Sequence, residues 1–280
     1  MTSGMGQGVA RLASLIRIIG RAPHGQRLSD VANESGLSKS TVHRLLGSLV
    51  RERLIEHDEF TGRFYLSFEF FALGATAANR YGLVDLALPN LTRIEEECHD
   101  TVYFSVPWKT EAICLHRIEG RFPIKVLTLQ VGSRRPLGVG SGSLALLAFM
   151  PDDEISSVLE SNAKELEEYP GFAYTDILDM IKKARRAGHT LNQGMIIKDM
   201  SAIGVPVMGP DGFPLAAISV AAIGGRMEPK RRKELFDLIS HEAKALEAEI
   251  AEMTSSMSMT SLQQLSAVDP NRPDLRYYRN

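Results

Sequence analysis

The sequence predicts an α+β chain in two parts: an N-terminal winged helix-turn-helix, then a connecting helix leading into a larger domain of strands with helices packed on them. Three observations carry this. Helically spaced apolar residues recur through the first 55 positions and a short hairpin follows; strand-like and helix-like runs intermix from about residue 101 to 253; and charge is unevenly divided. Residues 1–65 hold nine Lys/Arg against six Asp/Glu, a surplus of +3, while the whole chain is at −2, so the remainder stands at −5. Such an asymmetry is expected when one domain touches phosphate and the other does not.

At 280 residues and 44% hydrophobic, the chain can bury a substantial core, which sets aside disorder and collagen-like repetition. The N-terminal apolar run is broken by Arg11 and Arg17 and no stretch approaches a membrane span, so a cytoplasmic protein is expected. The two cysteines, Cys98 and Cys114, are too few for a disulfide framework or a four-ligand metal cage, and their apolar surroundings mark them as buried thiols.

Along the chain, Val9 to Ile19 has helical spacing and ends at Pro23, His24 and Gly25. Ser29 is read as an N-cap opening a short helix, Asp30 to Ser35, with Gly36 as a left-handed C-cap. Ser38 caps the next helix, which runs to about Arg53 and buries Val42, Leu45, Leu46 and Leu49. Strands at Leu54 to His57 and Arg63 to Leu66 flank a tip at Asp58 to Gly62. Ala32, Gly36 and Val42 stand where a helix-turn-helix needs a small residue, a bend and an apolar lock.

With that stripe turned inward, the opposite face of the second helix presents Ser38, Lys39, Ser40, Thr41, His43, Arg44 and Ser48 to a major groove. Arg44 is the candidate for a bidentate guanine contact, Lys39 and the hydroxyls at the helix start for phosphate, and Arg63 beside the hairpin tip for the adjacent groove or backbone. The plainer alternative is a solvated helix face; the neighbouring hairpin and local positive charge favour double-stranded DNA.

Phe68 to Arg80 is expected to form a linker and dimer helix, and Tyr81, Gly82 and Pro89 to interrupt helicity before it resumes at Leu91. The second domain, about 82 to 253, is expected to have strands at Thr101 to Val106, Ala112 to Ile118, Lys125 to Val131, Ala202 to Met208 and Leu215 to Ile223. Helices are expected at Gly142 to Phe149, Glu154 to Asn162, Asp176 to Gly188 and Lys230 to Met253, with Pro210 to Gly212 as a hairpin turn. Residues 254–280 lose periodicity and read as a flexible tail.

Four segments in order, GLSKSTVHRLLGSL, TGRFYLSFEFFALG, RRPLGVGSGSLALLAFM and GVPVMGPDGFPLAAISVAAI, give the chain a resemblance to the isocitrate-lyase-regulator (IclR-type) family of bacterial transcription factors over roughly residues 8–253. The resemblance implies a winged helix that binds operator DNA as a homodimer, often assembled into a homotetramer. It also implies a GAF-like effector-binding domain that takes a small organic acid, control of a catabolic operon, and no cofactor. Many members continue Pro-Leu with His at the pocket loop, where this chain has Gly138 and then GVGSGS. Gly140, Ser141, Gly142 and Ser143 would offer backbone N–H groups and a helix start to a carboxylate, or the glycines serve only a tight turn. The remaining pocket positions of the family fall at Asn192, Ala202, Ser219 and Ala221, which reads as a roomier, less polar pocket for an aromatic or aliphatic acid rather than a two- or three-carbon keto acid.

Catalytic readings fare worse. Neither Ser141 nor Ser143 has glycines at both i−2 and i+2, a dinucleotide fingerprint lacks its third small residue, and EEECHD (Glu95 to Asp100) reads as a solvated helix end with a buried cysteine rather than a metal site. A small-molecule hydrolase with an accessory helix-turn-helix, and a nucleic-acid-binding scaffold without an effector, remain the alternatives.

Overall fold

The computed structural model describes residues 3–22, 24–70, 72–74 and 82–256, and the chain divides into two units, Met1–Arg80 and Tyr81–Asn280. Most of the expected linker helix and all of residues 257–280 lie outside the described residues.

In the first unit, α1 (Ser3–Gly20), α2 (Leu28–Ser35) and α3 (Lys39–Arg51) surround a core of Leu15, Ile18, Ile19, Val31, Val42, Leu46, Leu49 and Ile55. A three-stranded antiparallel sheet closes it, β1 (Gln26–Arg27), β3 (Arg63–Leu66) and β2 (Ile55–Asp58) in that order. The helix-turn-helix follows its spacing: Ala32 and Val42 are buried and Gly36 takes φ 67° at the bend. Ser38 caps α3, its Oγ accepting from Thr41 N at 3.3 Å. Ser29 does not cap α2, which starts at Leu28 with Arg27 in the cap position and no side-chain cap; its hydroxyl donates to Asp30 instead. The sequence also gave no sign of β1, two residues held only by pairing with Arg63 and Phe64.

The second unit is built on a six-stranded sheet with every pairing antiparallel, in the order β6 (Arg134–Pro136), β5 (Glu111–Ile118), β4 (Thr101–Trp108), β9 (Pro214–Ile223), β8 (Met200–Met208), β7 (Thr190–Gln193). Against one face lie α4 (Leu83–Cys98) and α9 (Pro229–Ser256), whose Leu91, Ile94, Leu235, Ile239 and Leu246 meet Val102, Phe104, Ile203, Val205, Ile218 and Val220. The other side carries α5 (Ser141–Ala148), α6 (Asp152–Ser161), α7 (Ala163–Leu166) and α8 (Tyr174–Ala187). Because strand side chains alternate, Tyr103, Ser105, Ser219 and Ala221 must point away from the α4–α9 side.

Two expectations are corrected. Pro89 does not interrupt α4, which is continuous from Leu83 to Cys98; proline removes one N–H, but the buried stripe of Ala87, Leu91, Ile94 and Cys98 outweighs that loss. Lys125 to Val131 is not a strand. Its backbone is bound by side chains instead: Val126 O accepts from Tyr103 Oη at 2.6 Å, Thr128 N donates to Tyr103 Oη at 3.0 Å, and Leu129 O accepts from Arg117 at 2.8 Å. The strand pairing with β5 is the three-residue β6 that follows.

Candidate nucleic-acid interface and ligand cavity

On α3 the buried stripe leaves Lys39, Ser40, His43 and Arg44 exposed, with Thr41 and Ser48 half-buried. The side chains of Lys39, His43 and Arg44 make no hydrogen bond or ion pair among the described residues, so their donors remain available. The other hydroxyls are partly committed to the helix. Ser38 Oγ lies 2.8 Å from Thr41 Oγ1 and 3.1 Å from Ser40 Oγ, and Ser48 donates to Arg44 O at 3.1 Å while accepting from Arg51 at 2.9 Å.

Arg63 differs from its expected place. Its guanidinium donates to Gly25 O at 2.7 Å and His24 O at 3.3 Å, fastening β3 to the β1 approach rather than reaching out from the hairpin tip. Strand alternation and the short β1 turn it back. The tip itself is shaped by Asp58, whose carboxylate accepts from Thr61 Oγ1 at 2.7 Å and Phe60 N at 2.9 Å. The Thr61 hydroxyl first, then the Phe60 and Thr61 N–H groups, hold its pKa below the ordinary carboxylate value. This turn leaves Phe60 98% exposed, a feature the sequence reading passed over although an aromatic in a five-residue tip has nothing to pack on.

In the second unit a cavity of about 60 Å³ lies between the sheet and the start of α5. All eight positions singled out in the sequence line it: Gly140, Ser141, Gly142 and Ser143 from the turn and α5, Asn192 from β7, Ala202 from β8, and Ser219 and Ala221 from β9. Register explains the convergence of the second set, since Asn192 pairs with Ala202, Ala202 with Ala221, and Ser219 with Gly204 on one side and Tyr103 on the other.

The glycines serve two purposes. Gly138 and Gly140 take φ 104° and 88°, which side chains rarely adopt, whereas Gly142 allows close approach, because a Cβ there would meet Ser219 Oγ at 3.0 Å. Gly204 does the same from the sheet, where a Cβ would lie 2.6 Å from Ser141 O. Ser141 donates to Ala202 O at 2.6 Å, and Ser143 donates to Pro136 O at 2.8 Å while accepting from Gly138 N at 3.1 Å. Their hydroxyls thus build the turn, and what they can offer a ligand is backbone N–H. The first N–H groups of α5 have no intrahelical acceptor and no side chain caps them.

The cavity is neither roomy nor simply apolar, as the four family positions had implied. An aromatic ring needs more space, since a cavity of roughly 150 Å³ is what accommodates benzene. Residues outside those positions fill it: Tyr103, Thr128, Leu129, Ile196, Met200 and above all Arg135. Arg135 was missed because on β6, an element absent from the expected strands, nothing in the spacing turned it inward. Its Nη2 donates to Thr128 O at 3.0 Å, and the groups acting on it are the Tyr169 and Tyr103 hydroxyls and the Cys114 thiol, not a carboxylate. Burial is the main influence and lowers its pKa from the ordinary value.

A larger groove of about 460 Å³ runs beside α4 and α9, but Arg93 and Glu242 already pair there at 2.7 Å. EEECHD is a solvated helix end with a buried cysteine only in part: Glu96, Glu97 and His99 are exposed and Cys98 is buried, but Glu95 and Asp100 are buried too, Glu95 against Arg121 and Asp100 against Arg226 and Arg231 at 2.9 and 2.6 Å. Three arginines draw these carboxylates inward, and no group of His, Cys, Asp and Glu suited to a metal occurs among the described residues. Nor is any of their helices long and apolar enough to cross a membrane.

The IclR helix-turn-helix domain family matches residues 8–59, and the bacterial transcriptional regulator IclR C-terminal family matches residues 75–248. The chain is 25% identical over 247 residues to the DNA-binding transcriptional repressor YiaJ of Escherichia coli, covering 87% of this chain and 88% of that one. It is 26% identical over 219 residues to the HTH-type transcriptional regulator KipR of Bacillus subtilis, covering 77% and 86%. Among solved structures, the IclR transcriptional regulator of Alicyclobacillus acidocaldarius superposes with TM-score 0.73 at 19% identity, covering 87% of this chain and 98% of that one. An IclR homologue from Microbacterium hydrocarbonoxydans complexed with 4-hydroxybenzoate superposes with TM-score 0.70 at 21% identity, covering 88% and 99%. With both matched domains present in order and an unpaired basic face on α3, the chain belongs to the IclR family of bacterial transcriptional regulators and is a DNA-binding regulator, not an enzyme.

Proposed function

We propose that this regulator is controlled by a small organic acid, aliphatic or aromatic, bound in the cavity at the start of α5, and that the bound acid alters operator affinity at a catabolic operon. The observation that carries the reading is that partly open cavity: uncapped N–H groups of α5 on one side and sheet residues Asn192, Ala202, Ser219 and Ala221 on the other. The complex of a homologue with 4-hydroxybenzoate supports an acid of this kind. Aliphatic acids of a few carbons suit the cavity as it stands, and a ring requires its walls to move outward.

On the DNA side, Arg44 reads guanine in the major groove, Lys39, Ser40 and Thr41 hold phosphate, and His43 and Ser48 border the same face. Ser38 contributes through its cap on α3, and Arg63 by fixing the wing. The protein acts in the cytoplasm as a homodimer or homotetramer, so that paired winged helices meet paired half-sites.

A thermal-shift screen of the full-length protein against aliphatic and aromatic acids tests the effector, followed by operator binding with each hit. An acid at a hundred times its dissociation constant should stabilise the folded state by about 2.7 kcal/mol. Stabilisation with a change in operator affinity is the expected result; a screen without response, or a hit that leaves operator binding unchanged, contradicts the reading.

A further inference from the structure

We propose that Arg135 is the specificity-determining residue of the cavity: its guanidinium and the first N–H groups of α5 together receive a single carboxylate, restricting the effector to monocarboxylic acids with an uncharged tail. This rests on the organic-acid reading above and narrows it.

Three observations converge at one end of the cavity. Among the described residues, Arg135 is the only charged one that lines it, and no carboxylate pairs with it. Its Nη1 lies close to the turn, 3.2 Å from where a Cβ on Gly140 would stand, which puts the cation beside the uncapped start of α5. The hydroxyls of Ser105 and Ser219, on residues 4% and 7% exposed, face the same region; a Cβ on Gly142 would lie 4.0 and 3.0 Å from them, and neither has a hydrogen-bond partner among the described residues. A half-buried cation with one N–H on Thr128 O, a helix start and two unpartnered hydroxyls form a donor set with no anion of its own. Buried donors of that kind are costly unless something accepts from them.

The rest of the wall sets the other limit. Val126, Leu129, Ile196, Met200, Ala202 and Ala221 are apolar and Tyr103, Thr128, Asn192 and Ser201 are uncharged, so a second carboxylate would lose its water and find no second cation. Dicarboxylates are therefore rejected, and a neutral amide leaves Arg135 unpaired.

The competing explanation is structural: Arg135 holds the 124–132 segment through Thr128 O. Stability separates the two. A purely structural arginine makes Arg135→Met less stable, whereas an anion receptor is strained when empty, so the empty variant should melt at or above the wild-type temperature.

The experiment uses the full-length protein with butyrate and benzoate, their amides, and succinate, followed by melting temperature and calorimetry. Wild type should respond to at least one monoacid and bind the matching amide and succinate at least roughly tenfold more weakly. Arg135→Met should lose the response to the acid without a lower melting temperature, and Arg135→Lys should recover part of it. Acid binding retained by Arg135→Met and Arg135→Gln would overturn the assignment of Arg135 and leave the organic-acid reading standing, as would succinate bound as tightly as butyrate for the single-charge limit. Amides bound as well as acids, or no response to any monoacid, would overturn both.

Discussion

The Arg44 side chain projects from α3 without a partner among the described residues, one helical position beyond the equally free ring of His43. A bidentate arginine contact to guanine carries about 1–3 kcal/mol of discrimination. Arg44→Ala should therefore weaken binding to a selected operator by that amount and leave a scrambled duplex nearly unaffected; equal losses on both, measured by fluorescence anisotropy, would make it a phosphate contact. Single residues also explain an absence of chemistry. Burial pushes both the Cys98 and Cys114 thiols up to about 11, so at pH 8 they are protonated and enclosed. Neither should react with a disulfide reagent until the chain is unfolded, and a thiol titrating at native conditions would contradict their burial. Residues such as Arg44 were legible in the sequence because α3's apolar period fixes which side is outward. Arg135 was not, because its inward direction depends on pairing with Ala112 across a strand too short to show a period.

Elements were legible where their own pattern outweighs tertiary demands. Of the features in α3, both the N-cap and the stripe are local, and both appear where the spacing put them. By contrast β7, a polar four-residue edge strand, exists because Asn192 and Thr190 pair with β8, and Lys125 to Val131 is shaped by Tyr103 and Arg117 side chains from elsewhere in the chain. The end of α8 offers a test of such tertiary effects. His189, just past the left-handed Gly188, has ring centroids 4.6 Å from Phe236. Burial first, and the nearby Arg232 charge, lower its pKa from 6.5, against the Ala187 carbonyl, which raises it. The fold thus favours the neutral ring, and the unfolded chain binds the proton more readily. Stability from this site is complete above the unfolded value and declines as pH falls through it toward the lower folded one. His189→Phe keeps the ring contact and removes the titration, so its urea stability should change less between about pH 7 and pH 5 than that of the wild type. Parallel pH profiles would show that His189 does not report on folding.

Control of transcription belongs to the whole molecule, since the basic face and the cavity lie in different units. A bound acid can change operator affinity only if it binds two states of the protein unequally, and the coupling must then be reciprocal. If saturating acid changes the operator dissociation constant by a factor α, operator must change the acid's dissociation constant by the same α, with values of about 5 to 150 typical of such couplings. Calorimetric titration of the acid with and without a selected duplex, set beside duplex titration with and without the acid, measures α twice. A factor of one in both directions would make the cavity's ligand a structural occupant rather than an effector. Salt distinguishes the DNA side from this coupling. Each phosphate contact contributes close to one unit of slope in log affinity against log salt, so Lys39→Ala should lower that slope by about one on operator and scrambled duplex alike. The acid, touching no phosphate, should shift operator affinity while the protein's salt slope on scrambled duplex stays where it was. An acid that instead flattened that slope would be displacing DNA as a competing anion on α3, and the cavity would have no part in regulation.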